Sequence, residues 1–368
     1  MKTNLLFYFF LVLSLSVFGQ ANGKFQMHFM DVGQGDAALL ISPGGETVLF
    51  DEGVDKYCDM PTAYLESVGV TSIDYLVTSH YHDDHIGCTK QILDEFPLNK
   101  TAYDRGGTYP STVFDRYVEA VGAKRKTAVV NDRIILDQGT SHEVTITFMA
   151  MNGAGIRTDN ENDLSLVALV SFGPLDIMMG GDLSGYSSGD YRDIESKAAQ
   201  KVSQVEVYKV HHHCSQYSSN TTWLNTIKPR IGIISASGEY GRHHGHPTAE
   251  CLERLHQEGV KTYWTETGEG AQPDPQWDVV SGDIIIQADP GSLSFTVRHN
   301  QTRVDRYSVW GTDDQEPASS RAKYGWSTNS EMYHYIDCSW IKRINSENLQ
   351  TGDNPPDGKY LHKGCPKN

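Results

Sequence analysis

The stretch TSHYHDDHIG, residues 78–87, sets His80, His82, Asp84 and His85 close together at the end of an apolar run. Imidazole and carboxylate groups are common protein donors to divalent cations such as zinc. In an extended segment, side chains two positions apart share a face, so His80 and His82 can grip one metal. Asp84 and His85, on the turn into the next helix, can reach a second. Two metals about 3.5–4 Å apart clamp both the attacking and the leaving oxygen of a displacement. Partners come from three further clusters, each closing an apolar run: GGD with Asp182, HHHCS with His212, His213 and Ser215, and GRHHGHP with His246. Nine of the fifteen histidines fall in three of these four clusters, so they are gathered rather than scattered. Asp182 is the expected bridge between the metals, and His212 the imidazole completing the second site.

The elements that must position these residues show in the alternation of apolar runs and breakers. KFQMHFMDVG, AALLIS and TVLFDEG read as strands separated by glycine-rich turns. IDYLVTSH reads as a buried strand and HIGCTKQILDEF as the helix after it. VTITFMAM, LSLVALVSFG, LDIMMGGD and VEVYKVHHH are further strands, with helices over YRDIESKAAQKV and TAECLERLHQEG. Sheets covered by helices follow, an α/β layer architecture with its chemistry at strand ends. DIIIQA and LSFTVRH are the last paired strands, and the polar GTDDQEPASSRAKYG reads as a linker. The expected organisation is a signal segment at 1–19, a main domain at 24–300, a linker at 301–325 and a small extension at 326–368.

The 47 acidic residues outnumber 31 basic ones, giving a net charge of −16. Such a chain lacks the excess cations that a broad nucleic-acid or anionic-membrane surface needs. Lys2, the apolar LLFYFFLVLSLSVF and the small Gly19 read as a cleavable export signal. The apolar stretch is short of the roughly 20 residues of a bilayer span, so a secreted or periplasmic protein without a membrane anchor is expected. Six cysteines in an exported chain allow about 15 full pairings. In the extension, His334, Cys338, His362 and Cys365 could form a four-ligand zinc site, or the two cysteines could form a disulfide beside bystander histidines.

Taken in order, HFMDVGQGDAALL, VLFDEG, ENDLSLVALVSFG, MMGGD, VYKVHHHCS and GHP resemble the hydrolase domain of ComEC-type competence proteins, a branch of the metallo-β-lactamase fold. Secreted phosphorylcholine esterases share much of the pattern. The resemblance spans residues 24–300 and implies an αββα sandwich with metals at one edge. It implies that His80, His82, Asp84, His85, Asp182 and His212 are the ligands of two divalent ions, with zinc the first expectation and manganese the alternative. In the family sequence K-V-P-H-H-G-S the first histidine of the pair is the ligand, which makes His212 the ligand and His213 its neighbour. Asp51 corresponds to a carboxylate that orients ligands. Ser215, Asn162 and Asp163 are expected beside the ligands or the substrate, and the DVGQGD turn beneath the site.

Two departures qualify the expectation. Many members carry a third histidine for the first metal, where this chain reads NENDLSLV, with Asn162 and Asp163. His142 lies on an earlier strand, so the first site is expected to be the weaker. The family also tends to have glycine where Cys88 and Cys214 stand, which implies a Cys88–Cys214 disulfide between two loops at the site. The expected function is metal-dependent hydrolysis of a phosphodiester, either nucleic acid or a small ester such as a choline-phosphate ester. Asp84 would orient the nucleophile, and His246 would hold phosphate or protonate the leaving group. A β-lactam or lactone hydrolase and a non-catalytic metal-binding module are the alternatives.

Overall fold

Apolar runs such as AALLI are buried on both faces, which is how a strand reads when it lies between two layers. The computed structural model describes residues 21–238, 244–311, 324–335, 344, 348–352, 356 and 359–362. The chain first lays down β1 (Phe25–Phe29), β2 (Ala37–Ile41), β3 (Thr47–Glu52), β4 (Ile73–Val77), β5 (Leu98–Asp104) and β6 (Arg125–Thr127). It then builds a second sheet from β7 (Arg133–Leu136), β8 (Val144–Ala150), β9 (Val167–Phe172), β10 (Leu175–Met179), β11 (Val207–Lys209), β12 (Ile231–Ile234), β13 (Lys261–Trp264) and β14 (Asp278–Val280). Finally β15 (Ile284–Ala288), β16 (Ser294–His299) and β17 (Arg303–Ser308) return to the first sheet. The orders are β17-β16-β15-β1-β2-β3-β4-β5-β6 and β14-β13-β12-β11-β10-β9-β8-β7.

Alternate residues of each strand feed different cores. Leu40, Val48, Phe50, Phe148, Val170, Ile177 and Ile286 meet between the sheets. Leu39, Leu49 and Leu76 face outward, under α1 (Asp59–Ser67), α3 (Thr89–Glu95) and α4 (Thr112–Val121), with Phe114 and Tyr117. Met178, Tyr208 and Val210 face the opposite way, under α6 (Thr221–Ile227) and α7 (Ala249–Gln257), with Trp223 and Leu255. The result is the αββα sandwich. The site sits where the parallel strands β3, β4, β10, β11 and β12 end.

Several expectations change in detail. The helix expected over HIGCTKQILDEF is two pieces, α2 (Asp83–Ile86) and α3, parted at Cys88, whose φ of −94° and ψ of 1° leave the helical region; Gly87 before it lies against the backbone of Val54 and Asp55 with no room for a side chain. The helix expected over YRDIESKAAQKV shortens to α5 (Glu195–Ala198) and a 3-10 turn. The stretch 301–325 begins not as linker but as β17, which pairs with β16 along its length, and the first compact unit runs to Val309.

The expected Cys88–Cys214 bridge does not form. Cys58 bonds Cys88, and Cys214 bonds Cys251. The reason lies in the layers: Cys58 and Cys88 belong to the outer core of the first sheet, Cys214 and Cys251 to that of the second. The second unit, beginning at Trp310, contains a four-stranded sheet of β18 (Tyr324–Ser327), β19 (Met332–Tyr335), β20 (Leu349–Gly352) and β21 (Tyr360–Leu361). His334 and His362 lie with ring centroids 5.1 Å apart, while Cys338 and Cys365 fall outside the described residues, as does the expected signal at 1–19.

Candidate metal centre

Asp51, at the end of β3, organises one side of the site. It adopts a left-handed backbone, φ 51°, and accepts hydrogen bonds from the Ser79 amide at 2.7 Å and hydroxyl at 2.7 Å. It also accepts from His85 Nδ1 at 2.8 Å, so His85 presents Nε2 to the site. His80 Nδ1 lies 3.0 Å from Ser79 Oγ, which passes the bracing on to Asp51. His213 Nδ1 lies 3.1 Å from the Ser235 carbonyl and likewise turns Nε2 inward. Partners of this kind fix the tautomer and orientation of metal-ligating imidazoles.

Asp182 arrives on the tight turn after β10. A side chain at Gly180 would collide with His211, and one at Gly181, where φ is 52°, with Ser79. Close approach of backbone to neighbours therefore accounts for the GGD sequence. The two oxygens of Asp182 face different histidines. Oδ1 lies 3.3 Å from His85 Nε2 and 3.6 Å from His213 Nε2. Oδ2 lies 3.8 Å from His212 Nε2 and 4.0 Å from His80 Nε2. Asp84 stands 3.6 Å from His213 Nε2 and 3.9 Å from His85 Nε2, and His82 Nδ1 is 3.0 Å from His80 Nε2.

Donor atoms that converge within 4.8 Å form three overlapping groups: His80, His82 and Asp182; Asp84, His85 and His213; Asp36, His85 and Asp182. His85 Nε2, His213 Nε2 and Asp182 Oδ1 are buried and have no hydrogen-bond partner. Buried polar atoms without partners are costly, and a cation among these lone pairs would satisfy all three. The donor set therefore fits divalent metal.

Charge coupling follows the same geometry. Burial opposes ionisation of Asp84 and Asp182, yet the neighbouring His85 and His213 hold both carboxyls below their usual range. Burial also opposes protonation of His85, but Asp182, Asp84 and Asp51 together raise its pKa well above the ordinary value. Burial, followed by the neighbouring histidines, lowers His80 strongly. Burial lowers His212 to about 4 although Asp182 opposes it. His246, on the cleft wall, is lowered to about 3, first by burial and then by His212 and His213.

Not every expected residue joins the centre. His213, expected as a mere neighbour, stands with Asp84 and His85, while His212 lies on the other side of Asp182. Asn162 Nδ2 is 3.3 Å from His212 Nε2. Asp163 turns away, accepting from Thr158 Oγ at 2.6 Å and the Arg192 amide at 3.0 Å. Ser215 closes the backbone turn by donating its amide to His212 O at 2.8 Å. His142 pairs with Asp137 on the surface. Asp36, expected only as part of a supporting loop, enters the donor groups and is held by Lys209 Nζ at 2.8 Å. A lysine inside the apolar run VEVYKV was the signal for that buried partner. The open face of the centre is a cleft of about 410 Å³, lined by Tyr57, Asp84, Asn162, Asp182, Tyr191 and His246 among others.

The model of the metallo-beta-lactamase superfamily matches residues 30–239, more than half of the chain. The chain belongs to the metallo-beta-lactamase superfamily. It is 26% identical over 238 residues to Recombination protein 2 of Haemophilus influenzae, covering 63% of this chain and 26% of that protein. It is 23% identical over 265 residues to ComE operon protein 3 of Bacillus subtilis, covering 66% of this chain and 32% of that protein. Competence protein ComA of Neisseria gonorrhoeae is 26% identical over 239 residues, covering 64% of this chain and 30% of that protein. These relatives agree with the ComEC-type resemblance, and the matched segment spans only about a third of their length or less. Among solved structures, a Cronobacter sakazakii metallo-beta-lactamase superposes with a TM-score of 0.37 at 14% identity, covering 51% of this chain and 77% of that one. A subclass B3 metallo-beta-lactamase from a soil metagenome gives 0.36 at 13% identity, covering 52% and 80%.

Proposed function

We propose that this protein is an exported, two-metal phosphodiesterase. The observation that carries the reading is Asp182, whose two carboxylate oxygens each face a different set of imidazoles. His80, His82 and Asp182 would hold one divalent ion, and Asp84, His85, His213 and Asp182 the other. Zinc suits so imidazole-rich a set, and manganese would be tolerated through the carboxylates. Such ions supply Lewis acidity and bring the pKa of water towards neutrality.

The chain's own residues supply orientation. Asp84, kept ionised, can accept a hydrogen bond from the nucleophile and fix its direction at the floor of the cleft. His246 is neutral near pH 7 in its buried setting, which suits a hydrogen bond to a phosphoryl oxygen better than proton donation. Tyr57 and Tyr191 line the cleft, where they can pack beside the alcohol portion of the ester.

The names of the recombination and competence relatives favour a nucleic-acid substrate, and the net charge of −16 favours a short or small phosphodiester over long duplex. The two disulfides suit an oxidising environment, as export would provide. The test is hydrolysis by zinc- or manganese-loaded protein of a chromogenic bis-phosphodiester, single-stranded DNA, RNA and a choline-phosphate ester. Turnover of a β-lactam or lactone with no turnover of any phosphodiester would replace this reading with the alternative chemistry of the fold.

A further inference from the structure

We infer that Gln34 is a substrate-binding residue, its carboxamide donating to a non-bridging oxygen of the phosphodiester held in the cleft. The inference rests on the phosphodiesterase reading and goes beyond it, because it gives a role to a turn expected only to support the site. Gln34 stands between two glycines of positive φ, Gly33 at 72° and Gly35 at 133°. A Cβ on Gly35 would collide with the Asp84 carbonyl oxygen, and the Asp36 amide donates to that same oxygen at 3.1 Å. The Gly53 amide in turn donates to Asp36 O at 2.9 Å. The glycines thus fit the turn to the backbone that carries Asp84.

Turn geometry alone asks nothing of the side chain between the glycines. A long amide nevertheless stands there, 5% exposed, and lines the cleft with Asp84, Asp182 and His213. Among the described residues its carboxamide has no hydrogen-bond partner, yet its polar atoms are not sealed from solvent as those of His85 and His213 are. The carboxamide therefore opens onto the cleft. Burying most of a glutamine costs side-chain freedom and part of the hydration of its amide, and a polar contact made in the cleft would recover the second of these.

The rest of the lining selects that contact. Asp55, Asp83, Asp84 and Asp182 supply acceptors in excess, and among the described residues of the lining Lys56 is the one basic side chain besides the histidines. Four carboxylates repel an anionic ester, so donors are what the cleft must add. Of the two amides on the lining, Asn162 turns its Nδ2 to His212 Nε2 at 3.3 Å. Gln34 Nε2 keeps two N–H groups to give. A lysine in its place would be drawn to the carboxylates, as Lys209 is to Asp36 at 2.8 Å. A neutral amide instead donates to a charged phosphoryl oxygen and leaves those carboxylates undisturbed.

The experiment compares metal-loaded full-length wild type with Gln34→Met and Gln34→Glu, by hydrolysis of a chromogenic bis-phosphodiester and by calorimetric binding of inorganic phosphate. Methionine keeps the length of the side chain and removes both donors, while glutamate keeps the shape and adds a negative charge. The phosphoryl oxygen is anionic before and during the reaction, so the loss falls on KM rather than kcat. Gln34→Met should raise KM and weaken phosphate binding by about ten- to a hundredfold, the scale of a hydrogen bond to a charged group, and Gln34→Glu should exceed it. Metal content and melting temperature should match wild type, which separates a lost substrate contact from a damaged turn. Unchanged KM and phosphate affinity in Gln34→Met would overturn the inference and leave the phosphodiesterase reading intact. A raised KM with unchanged phosphate affinity would also overturn it, by moving the contact to the alcohol portion of the ester. So would loss of metal from both variants, since Gln34 would then serve the metal loop. Absence of phosphodiester turnover in wild type would instead overturn the reading on which the inference rests.

Discussion

Lys209→Met removes the counter-charge that, among the described residues, a buried carboxylate beneath the centre has outside the histidines. Lys209 closes β11 with its side chain 3% exposed, and its Nζ lies 2.8 Å from an Asp36 side chain that is itself 8% exposed. Burial pushes the Asp36 carboxyl up, yet Lys209 first, then His213 and His85, bring it below the ordinary value. At 2.8 Å, two unit charges in an effective dielectric of about 20 attract by roughly 6 kcal/mol before desolvation. Part of that attraction compensates for moving the ammonium out of water, and the histidines remain to share the carboxylate. Breaking a buried pair from one side typically costs about 3–5 kcal/mol, and the lower part of that range is expected in metal-free protein. Domains are stable by only about 5–15 kcal/mol, so the effect is large. Urea unfolding of metal-free protein measures it, and Asp36→Asn combined with Lys209→Met should recover most of the loss. A single-variant cost below about 1 kcal/mol, or a double variant as unstable as the single one, would refute the claim that the pair stabilises the loop under the site.

Asp84→Ala should lower turnover of a bis-phosphodiester by about a thousandfold while far-ultraviolet circular dichroism stays native, and loss of less than tenfold would contradict its role. Cys58→Ser with Cys88→Ser, or Cys214→Ser with Cys251→Ser, should each cost about 3–4 kcal/mol in urea unfolding, since the bridged positions lie 30 and 37 residues apart. Non-reducing peptide mapping should recover both cross-links. Asp31 is pushed up to about 7, by burial first and then by Glu266. Its raised folded pKa means the folded state holds a proton that the unfolded state has lost between about pH 4 and 7, so its contribution to stability falls as pH rises through that window. Asp31→Asn should therefore raise the melting temperature at pH 8 and change it little at pH 4, and equal effects at both pH values would contradict the assignment.

Most of the centre was legible because its residues sit at strand ends, where an apolar run stops and chemistry begins. His80, His82, Asp84, His85 and Asp182 are all of this kind, and so is the Asp51 brace. What the sequence did not show depends on backbone direction. Spacing could not reveal that His212, His213 and Cys214 share a left-handed turn, so the tandem histidines read as one ligand and one bystander. Asp163 read as a neighbour of the metals, yet its Oδ2 accepts from the Thr158 hydroxyl and the Arg192 amide. In the fold, α4 and the short edge strands β6 and β7 escaped notice. The two strands are too short for a period to show, whereas Phe114, Tyr117, Val118 and Val121 do recur at helical spacing and Ser111 caps α4 by accepting from the Phe114 amide at 3.1 Å, so α4 was legible in the sequence.

The cysteines carry the same lesson into function. The inferred Cys88–Cys214 bond rested on both residues replacing glycine beside the ligands, and the positive φ of Cys214 shows why glycine is at home there. Each residue instead ties its ligand loop to a different wall of the cleft. Cys88 follows Asp84 and His85, and its partner Cys58 ends the segment Val54–Tyr57 that lines one wall. Cys214 follows His212 and His213, and its partner Cys251 lies in α7, just after His244 and His246 on that wall of the cleft. Gly87 strengthens the first link by donating its amide to Gly53 O at 2.9 Å, and Thr248 strengthens the second through the Cys214 carbonyl. A single bond between the two ligand loops would have fixed the donors to one another and left both walls free. Two separate bonds fix each wall to the donors it must work beside, so the shape of the cleft and the position of the ligands are set by the same covalent links.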